Sequence, residues 1–241
     1  MKIAAIADVH GNSVALKSVL EDLKGRAISQ LIVLGDIVIR GPEPGLAFQM
    51  IQDVKPLCWL KGNTDMWFEE IAEGWQPKTA MEHGLFEYYL FAKQRLSEDE
   101  ITFLTCLPTE QSINFLGMDI LCVHGSPGSV VKGIDRHTSV HDLELMVENV
   151  SQSIILSGHT HVPFIGTVNG KSIFNVGSVG LPADGSNLAA YGVIDICPGG
   201  APEFEIVRVS YPINEIIKVA KDQDFPNTDS YEQSLINGLP G

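Results

Sequence analysis

Short apolar runs alternate with amphipathic segments through the first sixty or so residues of the chain. Ile3–Ala7 is an unbroken apolar run and reads as a buried strand. Val14, Leu16, Val19, Leu20 and Leu23 then recur at helical spacing, which predicts a helix over Val14–Leu23 capped by Asn12 or Ser13. Leu31–Leu34 reads as a second strand, Leu46–Ile51 as part of a helix, and Leu57–Leu60 as a third strand. Strand–helix–strand–helix–strand implies right-handed crossovers and a parallel sheet.

The pattern changes over 64–107. Three glutamates fall in Glu69–Glu73, aromatics at Phe86, Tyr88, Tyr89 and Phe91, and a capping box at Ser97-x-x-Glu100. These features predict a helical insertion beside the sheet. Strands return at Ser112–Phe115, Ile120–Val123, Ile154–Leu156, Phe164–Val168, Ser172–Val176, Leu188–Ile196 and Glu203–Val209. Asn169-Gly170 marks a type I′ hairpin between two of them. One helix is expected near Val140–Val150 and another near Ile213–Lys221, followed by a polar stretch with Pro226 and Asn227. No repeat or linker interrupts the chain. The organisation expected is one α/β domain over 1–241, with the insertion at about 64–107 and a helical tail at about 212–241.

Composition adds limits. A chain of 241 residues with 44% apolar positions builds a core without staples. Sixteen Lys+Arg against thirty Asp+Glu leave a formal charge of −14. That charge opposes binding to a nucleic-acid polymer or an anionic membrane, and an anionic small substrate needs a local reversal of sign. Cys58, Cys122 and Cys197 lie in apolar runs, where buried free thiols are expected; with Cys106 they form no C-x-x-C pair. No apolar run reaches membrane-spanning length, and Asp8 cuts the first run too short for a signal peptide. The expectation is a cytoplasmic protein whose edge strands leave room for homo-oligomers.

The chemistry sits where the strands stop. The first ends in Asp8-Val9-His10, the second in Gly35-Asp36, and the third in Gly62-Asn63. Ile120–Val123 ends in His124-Gly125, and Ile154–Leu156 runs into Gly158-His159-Thr160-His161. Each signal alone has an ordinary reading: a cap, a turn needing positive φ, a core histidine. Together they place seven O and N donors at the carboxyl ends of five strands, the edge where open α/β sheets bind ligands. Carboxylate, imidazole and amide without thiolate suit Mn, Fe, Zn or Ni. Seven donors exceed one tetrahedral ion and suit two ions sharing a carboxylate.

The ordered pattern D-x-H, G-D, G-N, H-G and G-H-x-H resembles the calcineurin-like metallophosphoesterase superfamily, in particular its YfcE-type phosphodiesterases and the diadenosine-polyphosphatase-related group. The run Asn175-x-Gly177-Ser178-Val179-Gly180-x-Pro182 resembles that group's N-P-G-S-V-G-x-P, with Val176 in the proline position. The resemblance implies a four-layer αββα sandwich. It also implies that Asp8, His10 and His161 hold one metal, that Asn63, His124 and His159 hold another, and that Asp36 bridges them. Such a centre hydrolyses a phosphodiester or phosphomonoester, a small nucleotide-like one being favoured, by in-line attack of a metal-bridging hydroxide. Asp36, Asn63, His124 and Arg40 would then be catalytic.

The chain departs from the pattern at Thr64, where many members carry a histidine that assists the leaving group. His83, His137 and His141 are the other candidates for that acid, beside metal-bound water. Arg40 stands at the offset of the substrate-binding arginine in protein phosphatases, G-D-x-V-D-R-G, and is expected to fork two phosphoryl oxygens. Lys61 adds positive charge nearby. Asn12 is either a helix cap or a substrate donor, and Trp67, Trp75 and Tyr88 are candidates for stacking on a base. Specificity is expected in 64–107 and in the loops 125–138 and 177–187. Alternatives are a phosphoprotein phosphatase, suggested by Arg40, and a non-catalytic scaffold of the same fold. A Rossmann-type nucleotide binder is excluded, since no G-x-G-x-x-G follows the first strand.

Overall fold

The computed structural model describes residues 1–197 and 200–240. Gly241, the last residue of the expected tail, lies outside the described residues. Among the described residues, ten strands form two five-stranded sheets. The first contains β1 (Lys2–Ile6), β2 (Ile28–Val33), β3 (Cys58–Trp59), β9 (Ala189–Asp195) and β10 (Glu203–Val209), in the order β10-β9-β1-β2-β3. The second contains β4 (Glu110–Phe115), β5 (Met118–Val123), β6 (Ile154–Ser157), β7 (Phe164–Val168) and β8 (Lys171–Asn175), in the order β4-β5-β6-β8-β7. As the crossovers require, β1–β2 and β2–β3 are parallel. Asn169 and Gly170, at φ 49° and 76°, close the β7–β8 hairpin as read from the sequence.

Period-two alternation along β1 explains the layering. Ile3 and Ala5 face Ile120, Cys122, Ile154 and Leu156 in the core between the sheets. Ala4 and Ile6 face the other way, into the helices. That outer layer holds α1 (Ser13–Gly25), α2 (Pro44–Val54), the insertion helices α3 (Trp67–Ala72), α4 (Ala80–Lys93) and α5 (Glu98–Cys106), then α7 (Ile213–Asp222) and α8 (Thr228–Asn237). On the far side α6 (Val140–Val147) covers the second sheet through Leu143 and Val147. The four-layer αββα sandwich is thus present, with its fourth layer a single short helix. No helix among the described residues is long and apolar enough to cross a membrane.

Three local readings need correction. The polar stretch after Pro226 is helix α8, which turns only Tyr231 and Leu235 fully inward. Cys197 is exposed, not buried, because its apolar run ends at Ile196; Cys58 and Cys122 are buried as expected. Asn12 is a cap. Its Oδ1 accepts from Ala15 N at 3.0 Å, and its Nδ2 donates to Gly180 O at 3.0 Å and Tyr211 Oη at 3.4 Å. With no exposed surface, its amide is not offered to a substrate. Asn12→Ala removes the cap and orphans a buried carbonyl, an expected cost of about 2 kcal/mol. At roughly 2–4 °C per kcal/mol for a chain of this size, Tm falls by about 4–8 °C in a thermal melt.

Candidate metal centre

The carboxyl ends of β1, β2, β3, β5 and β6 meet at one edge of the sandwich, because these strands run parallel within their sheets. Short loops there hold the donors in tight turns. Asp8, His10, Asp36, His159 and His161 all have positive φ, between 48° and 69°, and Arg40 has φ 83°. This backbone region is uncommon for non-glycine residues, and such strain concentrates at functional sites. Two glycines let the turns close. A Cβ on Gly62 would lie 2.0 Å from Asp36 Oδ1, and one on Gly158 would lie 2.5 Å from the Ala7 Cβ. Gly62 is therefore required by close approach, not by the positive φ that a Gly-Asn turn suggests.

The donors converge in two linked groups. His10 Nε2 and His161 Nε2 are 3.1 Å apart, and Asp8 Oδ1 lies 3.8 Å and 3.4 Å from them. Asn63 Oδ1 lies 3.0 Å from His124 Nε2 and 2.8 Å from His159 Nδ1. Asp36 Oδ2 stands between the groups, 3.7 Å from His10 Nε2 and 3.6 Å from His124 Nε2.

Hydrogen bonds on the outer side of each ring orient its inner nitrogen. His10 Nδ1 donates to Ile39 O at 2.7 Å, His124 Nδ1 to Leu34 O at 2.7 Å, and His161 Nδ1 to Leu181 O. His159 uses the opposite nitrogen, Nε2, toward Val131 O at 3.0 Å. A carbonyl accepts only from an N–H, so the other nitrogen of each neutral ring presents a lone pair inward. Two lone pairs 3.1 Å apart, at His10 and His161, repel unless a cation lies between them. Asp8 Oδ1 is buried with no hydrogen-bond partner, although Oδ2 accepts from His159 N at 2.8 Å. Orphaned carboxylate oxygen and opposed lone pairs are what a divalent metal ion would satisfy. The groups Asp8–His10–His161 and Asp8–Asp36–His124 each bring three ligand atoms close enough for one ion.

The profile of the calcineurin-like phosphoesterase superfamily domain matches residues 1–199. The chain belongs to this superfamily. It is 30% identical to an uncharacterised protein of Methanocaldococcus jannaschii, over 99% of this chain and 93% of that one. Its structure is similar to that of a metallophosphoesterase from Sphaerobacter thermophilus, with TM-score 0.79, 25% identity and 99% of each chain covered. A hypothetical protein from Pyrococcus horikoshii shares the fold at TM-score 0.84 and 20% identity, covering 100% of this chain and 99% of that one.

The electrostatics suit a calcineurin-like centre. Burial lowers His10 to about 3, and the neighbouring His161 and Arg40 add to the effect. Burial likewise lowers His159. Burial opposes charge on Asp36, yet the facing His124 and His10 hold its carboxyl below the usual range. Burial opposes protonation of His124, yet Asp36 and Asp8 raise it.

Around the donors the structure sorts the remaining candidates. Arg40 is half-buried and lines a pocket of about 190 Å³ beside His159 and His161. Lys61 is spent elsewhere: its Nζ donates to Glu69 at 2.8 and 3.0 Å and to Thr105 O at 2.7 Å, so it adds no free charge to the site. His83, His137 and His141 are exposed and do not line that pocket. Trp67 and Trp75 line a separate cavity of about 150 Å³ inside the insertion. A larger cavity of about 650 Å³ lies at the amino end of β2, the opposite end from the donors.

Supporting residues escaped the sequence reading. Asp65 is fully buried and accepts from Asp36 N at 2.8 Å, Gly62 N at 2.9 Å and Ile37 N at 3.4 Å, pinning the Asp36 and Asn63 turns together. Burial and the charge of Asp36 raise it to about 7. Asn175 Nδ2 donates to Ile134 O, Gly158 O and Thr160 Oγ1 at 2.8–2.9 Å, and Ser178 Oγ donates to Asp8 O at 2.8 Å. The signal for these was the Gly-Asn-Thr-Asp and Asn-x-Gly-Ser runs themselves, of which only Asn63 had an assigned ligand role. Asp65→Asn puts an amide N–H against backbone donors. We expect metal affinity, measured by titration calorimetry, to fall about 10–100-fold, as for other residues that orient ligands.

Proposed function

We propose that the protein is a metal-dependent phosphoesterase with a dinuclear centre, acting on a small phosphodiester or phosphomonoester. The supporting observation is the pair of opposed imidazole lone pairs and the orphaned Asp8 oxygen, closed into one site with Asp36, Asn63, His124 and His159. Asp8, His10 and His161 would hold one ion, Asn63, His124 and His159 the other, and Asp36 both. When bound, divalent ions supply Lewis-acid polarisation of the phosphoryl group and a nucleophile drawn from water at neutral pH.

The chain's own residues set the rest. Arg40 lines the pocket, where its guanidinium can fork phosphoryl oxygens and favour the anionic substrate. Its backbone carbonyl neighbour Ile39 fixes His10 at 2.7 Å, so the arginine turn and a metal ligand move as one unit. Among the described residues, the pocket lining holds no protonatable side chain other than Arg40, His159 and His161. Leaving groups that need no proton are therefore favoured.

The test is a titration of metal-stripped protein with Mn²⁺, Ni²⁺, Zn²⁺ and Mg²⁺ against bis-p-nitrophenyl and p-nitrophenyl phosphate. Hydrolysis with at least one transition metal is expected. No hydrolysis with any metal would sink the enzymatic reading and leave the scaffold.

A further inference from the structure

Helices α3 and α4 line a cavity of about 150 Å³ that shares no lining residue with the pocket of the metal centre. Local sequence builds its walls. Trp67, Glu70 and Ile71 stand at positions i, i+3 and i+4 of α3, so they share one face of that helix. Glu82, Leu85 and Phe86 repeat the same spacing on α4. Gly74 ends α3. At φ 105° its N donates to Ile71 O at 3.1 Å, and Trp75 N donates to Glu70 O at 3.0 Å. This is a Schellman turn, whose reversal carries the residue after the glycine back toward the last turn of the helix. Trp75 thereby joins Trp67 in the cavity wall.

We propose that this cavity binds a small quaternary ammonium compound, with Trp67, Trp75 and Phe86 as an aromatic cage and Glu70 and Glu82 as its counter-charges. Three observations carry this. First, two indoles and a phenyl ring line one small space. The Trp75 and Phe86 rings lie 6.3 Å apart at 45°, as inclined walls, and Tyr89 stacks on Phe86 at 5.6 Å and holds that ring in place. Aromatic rings attract a cation electrostatically, tryptophan most strongly. Second, the charge on the lining is all of one sign. Glu70 and Glu82 border the cavity, and among the described residues no lysine, arginine or histidine does. Glu82 is fixed by its capping box: its Oε2 accepts from Lys78 N at 2.7 Å and from Thr79 N at 2.9 Å, bonds that hold its carboxyl below the usual range and so keep it ionised. Third, the volume and the remaining walls suit an alkylated head group. About 150 Å³ is the share of about five waters in the liquid, and a trimethylalkylammonium head has about five heavy atoms. Ile71 and Leu85 complete the lining with apolar side chains. A primary ammonium or a metal ion sheds bound water at a cost that such walls do not repay, whereas an N-methylated head carries its charge on an apolar surface.

Three matched probes test this. Choline carries the quaternary head. The dimethylbutanol in which carbon replaces its nitrogen keeps the shape without the charge, and ethanolamine keeps the charge without the methyl groups. Titration calorimetry on the full chain at constant ionic strength reads the three affinities, and the readout does not depend on phosphoester hydrolysis. Choline is expected to bind about tenfold more tightly than either of the others. Trp75→Ala and Glu70→Gln alter exposed side chains and keep the fold. Each is expected to weaken choline binding about fivefold or more, Glu70→Gln without changing the affinity for dimethylbutanol. Met81→Ala, on α4 but outside the lining, is expected to leave choline binding unchanged. No saturable binding of choline, dimethylbutanol or ethanolamine binding as tightly as choline, or choline binding unchanged in both Trp75→Ala and Glu70→Gln would overturn the proposal.

Discussion

Asp36→Ala is expected to lower kcat/KM for nitrophenyl phosphate by about 10³-fold or more, the scale of losing a preorganised charge-stabilising group. Asp36 reaches both donor groups, with Oδ2 3.7 Å from His10 Nε2 and 3.6 Å from His124 Nε2. Its other oxygen accepts from Thr64 N at 2.9 Å, so it also holds the turn that carries Asn63. Removing it separates the two halves of the site electrostatically and mechanically. Folding is checked by the far-UV spectrum, which is expected to stay native because Asp36 lies in a loop beyond β2. Activity within tenfold of wild type would show that the residue does not join the two groups.

The second large effect is on stability. Transition-metal ions at about 100 times their Kd stabilise by about 2.7 kcal/mol per site. For two sites, at roughly 2–4 °C per kcal/mol, Tm of the stripped protein rises by about 10–20 °C on loading. The rise is large because the donors are preformed and buried: Asp8, His10 and His124 have 0% exposure and Asp36 2%. The shift is pH-dependent, since ligands must be deprotonated to bind. His124, raised above the ordinary histidine value of 6.5 by Asp36 and Asp8 despite its burial, competes most strongly for a proton. Metal stabilisation is thus complete above that raised value and is lost as pH falls through it. A thermal shift below about 2 °C at pH 8 would contradict a preformed metal site.

Much of this site was legible in the sequence because its residues lie beside strand ends. An apolar run followed at once by Asp, His or Asn states both the strand and the donor, so β1 announces Asp8 and β6 announces His159 and His161. What was not legible depends on distance in the chain. Lys61 precedes Gly62-Asn63 and looks like free charge, but Glu69, eight residues on, folds back to neutralise it. Asp65 reads as one more acidic residue, yet its carboxylate collects backbone N–H groups from two separate turns. Helix α8 hid because only Tyr231 and Leu235 are fully buried, too few to set a 3.6-residue period, while Pro226 and Asn227 read as loop. Its place beside Arg40 comes from packing across the whole chain length, which no local pattern encodes.

Anomalous-scattering diffraction from Mn²⁺-soaked crystals tests the central claim most directly. The account predicts two manganese peaks, one among Asp8, His10 and His161 and one among Asn63, His124 and His159, with Asp36 ligating both. A single peak, or two peaks that Asp36 does not join, would contradict it.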